Sequence, residues 1–346
     1  MDVIVLAIAF VVILVGSELF TNGIEWFGHK LELGEGAIGS VLAAVGTALP
    51  ETLVPLIAIF GGGGSGNEVG VGAILGAPFM LATLAMFVTG VGVIGFRKRR
   101  STGLSVVPDR SVVRHDVAYF CAAYAIAICA AFLPAGWELG RRLVAVVLIG
   151  VYVRHVWVHL QAEAAEHHGL EPLRFHKLDR RGPQHPEPPR FLIVTGQVIF
   201  ALGCIIGGAW AFVRGVEDIS SGSGLNPTLL ALLIAPIATE LPETLNSVLW
   251  VRNGKDTLAL GNVTGAMVFQ SVIPTAIGLA FAPTLWVVST DGVAFLSAAV
   301  AFASVLVVLG PLLARARLDA RGMLLGGLFY LGYVGLVVAS LAKLFG

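Results

Sequence analysis

Long apolar runs, broken by short polar joints, dominate this chain from one end to the other. A hydrocarbon core about 30 Å thick takes about 20 apolar residues wound as a helix. With that ruler the sequence predicts ten spans, at 2–22, 35–60, 67–95, 117–134, 142–161, 190–213, 225–250, 256–282, 285–309 and 322–344. The joints are short except two. Residues 96–116 open on Arg97, Lys98, Arg99 and Arg100, and residues 161–190 are polar and end in Pro183, Pro186, Pro188 and Pro189. The first apolar run, Val3 to Val15, follows Asp2 instead of a basic segment and is not closed by a small-residue cleavage site. It is read as a first spanning helix and not as a removed signal peptide. The expected fold is an all-α membrane protein.

Composition supports that class. Of 346 residues, 56% are hydrophobic and only 13% charged, too few polar side chains to cover two soluble domains. The 22 basic residues balance 22 acidic ones, which excludes a nucleic-acid binder working by bulk electrostatics and leaves the lipid bilayer as the expected surrounding. The placement of those charges is more telling than their sum. Seventeen of the 22 lysines and arginines fall in joints after odd-numbered spans, four (Arg141, Arg142, Arg214, Lys343) fall on the other side, and Arg154 lies within span 5. Cytoplasmic joints carry the basic excess, so both termini are expected outside and the 161–190 loop in the cytoplasm, in the plasma membrane of a prokaryote. Cys121, Cys129 and Cys204 sit in apolar runs and read as buried packing residues, with no disulfide framework.

The chain repeats itself. Leu49-Pro50-Glu51-Thr52-Leu53 recurs identically as Leu241-Pro242-Glu243-Thr244-Leu245, 192 residues later. On the following span, Gly72 to Gly76-Ala77 is matched by Gly261 to Gly265-Ala266 at an offset of 189. Five spans separate the copies, and an odd number inverts the second half. The predicted organisation is a first five-helix repeat at 1–160, a His- and Pro-containing linker at 161–190 and a second five-helix repeat at 191–346. Inverted halves with proline-interrupted helices in matching positions mark secondary transporters that bind their cargo near the midplane.

Ionisable residues at bilayer depth are costly and call for a reason. Glu51 and Glu243 stand in mid-span, each beside a proline. Proline cannot donate to the carbonyl four residues back, so Pro50 frees the carbonyl of Gly46, Pro242 that of Ala238, Pro236 that of Leu232 and Pro55 that of Glu51. Freed carbonyls beside a carboxylate make an oxygen-lined site for a hard cation; a tolerated kink is the plainer reading for Pro55. Thr47 lies four residues before Glu51 and Thr239 four before Glu243, so each hydroxyl shares the face of its carboxylate in helical geometry, as Glu240 does three before Glu243. Either threonine could instead bond its own backbone.

With those residues in view, Gly46-Thr47-Ala48-Leu49-Pro50-Glu51 and Thr239-Glu240-Leu241-Pro242-Glu243 resemble the two alpha-repeats of the sodium/calcium exchanger superfamily, and the resemblance covers most of the chain. It implies ten helices in two inverted halves, an outside N-terminus and a cytoplasmic loop between the halves. It also implies that Glu51 and Glu243 are the central cation-binding glutamates, with Thr47 and Thr239 as neighbouring ligands. The third and eighth helices of that family usually carry Gly-Asn, then Gly-Ser-Asn, then a further Asn or Asp. Here Ala77 and Ala266 replace the serines, Pro78 and Met267 the asparagines, and Leu81 the last polar residue of the first copy. Asn262 and Gln270 remain as amides.

The expected function is therefore a secondary active antiporter exchanging calcium for sodium or protons by alternating access, with Glu51 and Glu243 as the metal-binding acids and Thr47, Thr239, Glu240 and Gln270 around them. Three carboxylates, two hydroxyls, Gln270 and the freed carbonyls reach the six to eight oxygens calcium takes. Three carboxylates packed in low dielectric cannot all stay ionised without a cation, which makes proton coupling as plausible as sodium coupling. The alternatives are a monovalent cation/proton exchanger, a cation pore, or a family member that no longer transports. An enzyme is not expected: no His-Glu-x-x-His or Gly-x-Ser-x-Gly occurs, and every aspartate falls at a span end or in a joint. No cofactor is implied beyond the transported cations, and nothing specifies an oligomeric state. Glu18, in the first span, can pair with Asn22, line an access path or simply face water. Glu217 and Asp218 fall in the joint after span 6. His155, His159, Glu163 and His167 recur every four residues, a stripe that could bind a transition metal or sense pH, or could be the face of a polar linker helix.

Overall fold

The computed structural model describes residues 2–48, 52, 74–134, 136–161, 170–178, 188–223, 240–284, 286, 293–315 and 317–345, and they are helical almost throughout. In chain order the helices are α1 (Asp2–Lys30), α2 (Glu35–Thr47), α3 (Ile74–Phe96), α4 (Arg110–Ala130), α5 (Glu138–Gln161), α6 (Phe191–Ser223), α7 (Leu241–Arg252), α8 (Asp256–Phe281), α9 (Val293–Arg315) and α10 (Leu325–Phe345). A 3-10 turn, Arg174–Leu178, lies between α5 and α6, and a short helix, Ala320–Met323, precedes α10. Two short strands, β1 (Ser105–Val106) and β2 (Leu318–Asp319), pair antiparallel with Ser105 opposite Asp319. Among the described residues seven helices are long and apolar enough to cross a bilayer, namely α1, α3, α4, α5, α6, α8 and α9. The protein is a multi-pass membrane protein.

α8 is the centre of the bundle. From Leu258 to Val272 every side chain is buried, because small and apolar residues cover all its faces and a helix apolar all round has no solvent side to offer. Its glycines let α2 approach closely. A Cβ at Gly265 would fall 2.2 Å from the carbonyl oxygen of Ser40, and one at Gly261 would fall 3.0 Å from the Ser40 hydroxyl. α2 is a π-helix at this contact, Ile38–Ala43, and α3 has a π segment of its own at Leu81–Ala85. Such turns are uncommon and often mark functional positions in helices. At Gly76, the position that matches Gly265 in the sequence repeat, no atom of the described residues lies within 4 Å of an added Cβ. The outward faces of α5, α6 and α10 present Leu143, Val146, Leu192, Ile199, Leu328 and Leu331, each at least 59% exposed; this is apolar surface suited to lipid.

The joints gather at two opposite ends. At one, Arg100 leaves α3 and forms a buried ion pair with Asp256 in the first turn of α8, Nη1 to Oδ1 at 2.8 Å, while the Val107 amide donates to the same carboxylate at 2.8 Å. β1 and β2 lie on this side. At the other end Arg141, fully buried, donates to the carbonyls of Leu133, Pro134 and Trp286, and the Trp286 indole donates to Ala127 at 2.8 Å.

Several expected boundaries shift. α1 runs past residue 22 to Lys30 because its polar stretch packs inward: Thr21, Asn22 and Glu25 are buried. α6 continues beyond 213 to Ser223, with no proline to stop it before Pro227, so Glu217 and Asp218 are helical and not in a joint. α4 begins at Arg110, not 117, after an Asp109 side chain that caps the Ser111 amide at 2.7 Å. Asp116 is thereby inside a helix and fully buried, against the expectation for every aspartate. The cysteines are not core residues either: Cys129 is exposed and the other two are partly so, because their helix faces point outward.

Candidate cation-binding site

The second copy of the repeated pentapeptide opens a helix, and of the first copy only Thr52 is among the described residues. α2 stops at Thr47, and α7 starts at Leu241 with Glu240 at its N-cap. Glu243 was expected in mid-helix. It stands instead in the first turn, where Pro242 costs no hydrogen bond because the amide it lacks would have had no helical partner. The positive end of the α7 dipole is thus beside two acids.

Both acids are out of reach of solvent: Glu240 is 3% exposed and Glu243 0%. Glu240 Oε1 accepts from the Gln270 amide of α8 at 3.5 Å, and its backbone carbonyl accepts from the Thr244 hydroxyl at 2.7 Å. The Glu243 carbonyl accepts from the Asn262 amide at 3.0 Å, and that amide also reaches the Ser247 hydroxyl at 3.2 Å. Thr47, whose hydroxyl donates to the Ala43 carbonyl at 3.0 Å, ends α2 where that helix packs against α7 and α8. These contacts join α2, α7 and α8 around one point.

Unmet acceptors distinguish this point chemically. Both carboxylate oxygens of Glu243, Oε2 of Glu240, Oε1 of Gln270 and Oδ1 of Asn262 are buried with no hydrogen-bond partner among the described residues. Neither carboxylate pairs there with a lysine, arginine or histidine. A buried acceptor left unpaired costs about 1–3 kcal/mol, and more if charged. A hard cation is the species that satisfies several such oxygens at once.

The structure therefore brings together Glu240, Glu243, Gln270, Asn262 and Thr47, with Gly46 adjoining Thr47. Glu51, Thr239 and Ala238 lie outside the described residues, as do Pro50, Pro55 and Pro236. Glu18 stands apart: it bonds Arg174 at 2.9 Å in a polar cleft that also includes Glu25, Glu171 and Lys255. Asn22, its suggested partner, instead takes the Arg174 amide on its Oδ1 at 2.9 Å and donates to the Pro172 carbonyl at 3.3 Å. Sequence reading also missed Asn246, fully buried with neither amide atom partnered among the described residues. Its signal was present, since it stands three residues after Glu243 and so shares that helix face.

The sodium/calcium exchanger protein family matches residues 1–160 and 193–342 of the chain. A protein of Alkalimonas amylolytica named "Putative antiporter CaxA" is 22% identical over 289 residues, spanning 80% of this chain and 79% of its own. An uncharacterized membrane protein of Methanocaldococcus jannaschii is 22% identical over 277 residues, 77% of each chain. Among solved structures, the sodium-calcium exchanger NCX_Mj soaked with 2.5 mM Na+ and 0.1 mM Ca2+ superposes with a TM-score of 0.71 at 17% identity, covering 96% of this chain and 97% of that one. The same exchanger soaked with 100 mM Na+ and 10 mM Sr2+ gives 0.72. At this identity the likeness is one of fold.

Proposed function

The chain belongs to the sodium/calcium exchanger family, a family of cation antiporters, and from that premise we propose that it exchanges calcium for sodium or protons by alternating access. The observation that carries the reading is the set of buried oxygens on Glu240, Glu243, Gln270 and Asn262 that have no partner among the described residues. In the proposed site Glu243 and Glu51 neutralise and coordinate the ion, Glu240 adds a third carboxylate, and Thr47, Thr239, Gln270 and the carbonyls of Gly46 and Ala238 complete an oxygen shell of the size calcium takes. Asn262 orients the Glu243 backbone.

The proposed architecture is ten spans in two inverted repeats, 1–160 and 191–346, joined by a cytoplasmic 161–190 linker, with both termini outside. The grouping of the basic Arg97–Arg100, Arg252–Lys255 and Arg315–Arg321 joints at one end supports that orientation. Proton coupling is favoured by the two acids three residues apart with no basic partner among the described residues: their charge is balanced by a bound cation in one state and by a proton in the other.

Purified protein in proteoliposomes tests this. Radiolabelled calcium uptake is expected under an imposed pH or sodium gradient, with saturable counterflow, and is expected to fall to the level of empty vesicles in Glu243→Gln and Glu51→Gln while both variants still insert. Wild-type flux in either variant overturns the site. Flux under a sodium gradient with none under a pH gradient overturns proton coupling, and conductance independent of any counter-ion identifies a pore.

A further inference from the structure

A second cluster of ligating groups lies away from the carboxylate site, where α4 and α5 meet near the basic end of the bundle. His115, His155 and His159 each offer a ring nitrogen within 4.8 Å of the others. The rings of His155 and His159 are 4.7 Å apart and crossed at 70°, and His115 is 5.2 Å from His159. His155 is fully buried, yet neither of its ring nitrogens has a hydrogen-bond partner among the described residues, nor has Nε2 of His115. Asp116 stands at the centre. Its Oδ1 is 2.8 Å from His159 Nε2 and 4.0 Å from His155 Nε2. Its Oδ2 accepts from the Ser40 hydroxyl of α2 at 2.7 Å and the Thr264 hydroxyl of α8 at 2.5 Å.

We propose that His115, His155 and His159, oriented by Asp116, bind a transition-metal dication of the zinc class at a site distinct from the transport site. The chemistry of the donors separates the two. Imidazole nitrogens select zinc and its neighbours, whereas calcium takes oxygens. Zinc–nitrogen bonds of about 2.0–2.1 Å in a tetrahedron set ligand atoms about 3.4 Å apart, so the widest pair must close by about 1.4 Å, shared between two side chains. Asp116 Oδ1 holds Nε2 of His159 at 2.8 Å and so orients that ring, as carboxylates commonly do around metal-binding histidines. The unpartnered nitrogens of His155 are what a purely structural polar cluster would not leave buried. Because Asp116 is also tied to Ser40 and Thr264, a bound ion clamps α4 and α5 to α2 and α8, the helices that carry Thr47 and Gln270.

His155 and His159 belong to the cluster, Glu163 and His167 lie outside the described residues, and the third imidazole comes from α4.

The test uses the full-length protein in detergent, stripped with a chelator and titrated with Co2+ and Zn2+ by visible absorption and calorimetry. One equivalent of Co2+ is expected to bind with the intense d–d bands of a four-coordinate nitrogen-rich site, to be displaced by Zn2+, and to be retained in a thousandfold excess of Ca2+. His115→Gln, at a half-buried position that tolerates change, and His155→Gln are each expected to weaken binding tenfold or more. The quadruple linker variant His167→Asn, His168→Asn, His176→Asn, His185→Asn should bind as wild type. No saturable Co2+ signal, displacement by Ca2+, wild-type binding in His115→Gln and His155→Gln, or loss of binding in the linker variant would overturn the assignment.

Discussion

Gly265 and Gly76 are matched positions of the sequence repeat, and the same substitution is expected to affect them in opposite ways. At Gly265 an added methyl would sit 2.2 Å from the Ser40 carbonyl oxygen and 2.4 Å from the Ser40 Cα. Those are backbone atoms of α2, which cannot swing aside as a side chain would. Ordinary contact requires the two helices to part by about 1 Å or more. Overpacking of this kind costs about 1–3 kcal/mol, occasionally more, so Gly265→Ala is expected at or above the top of that range. At Gly261 the nearest atom is the Ser40 hydroxyl at 3.0 Å, a side-chain atom that can rotate, and Gly261→Ala is expected to cost about 1 kcal/mol, the lower end of the same range. At Gly76 no atom of the described residues lies within 4 Å, and replacing glycine in a helix by alanine gains up to about 1 kcal/mol. Equilibrium unfolding of the three variants in mixed micelles, followed by tryptophan fluorescence, measures the series. If Gly265→Ala is as stable as wild type, or Gly76→Ala falls as far as Gly265→Ala, the packing argument is wrong. Because the same displacement separates Thr47 from Glu243, calcium uptake should fall with stability in Gly265→Ala and stay intact in Gly76→Ala.

Other expectations follow from the charges. Arg100→Ala leaves Asp256 buried without its partner, and breaking such a pair costs about 3–5 kcal/mol; in a double-mutant cycle with Asp256→Ala, the double variant should lose much less than the sum of the singles, and simple additivity would exclude coupling. Glu25 accepts from the Trp250 indole at 2.7 Å and pairs with Lys255, so Glu25→Gln should lower stability by about 1–3 kcal/mol and shift the tryptophan emission; an unchanged spectrum argues against the contact. Glu18 and Arg174 are 35% and 38% exposed, and an exposed pair contributes about 0–1 kcal/mol. Glu18→Gln should therefore leave both the unfolding midpoint and calcium uptake near wild type, and a transport defect would mean that Glu18 lies on the ion's path.

How much was legible beforehand differs from residue to residue. Glu243 and Gln270 could be singled out because a carboxylate and an amide in an apolar run have no cheap explanation at bilayer depth. Their pairing with Glu240 and Asn262 required α7 and α8 to be seen side by side. Asn246 was hidden by its ordinary appearance in a stretch that also contains Thr244 and Ser247. Asp116 was lost to a boundary error of seven residues: hydropathy places a span at its apolar middle, whereas the Asp109 cap starts the helix well before that. The same error concealed Glu25, since the α1 helix outlasts its apolar run.

The sequence by itself determined the membrane class, the repeat and the acids at its heart, because apolar length, identical pentapeptides and isolated charges are all one-dimensional signals. Only the tertiary structure decided which polar groups meet. His115 joins His155 and His159 across two helices, Arg100 finds Asp256 from 156 positions away, and Gly265 lies against the backbone of Ser40. A repeat constrains the backbone that both halves share, but the neighbours of a side chain are set by whichever helix packs against it.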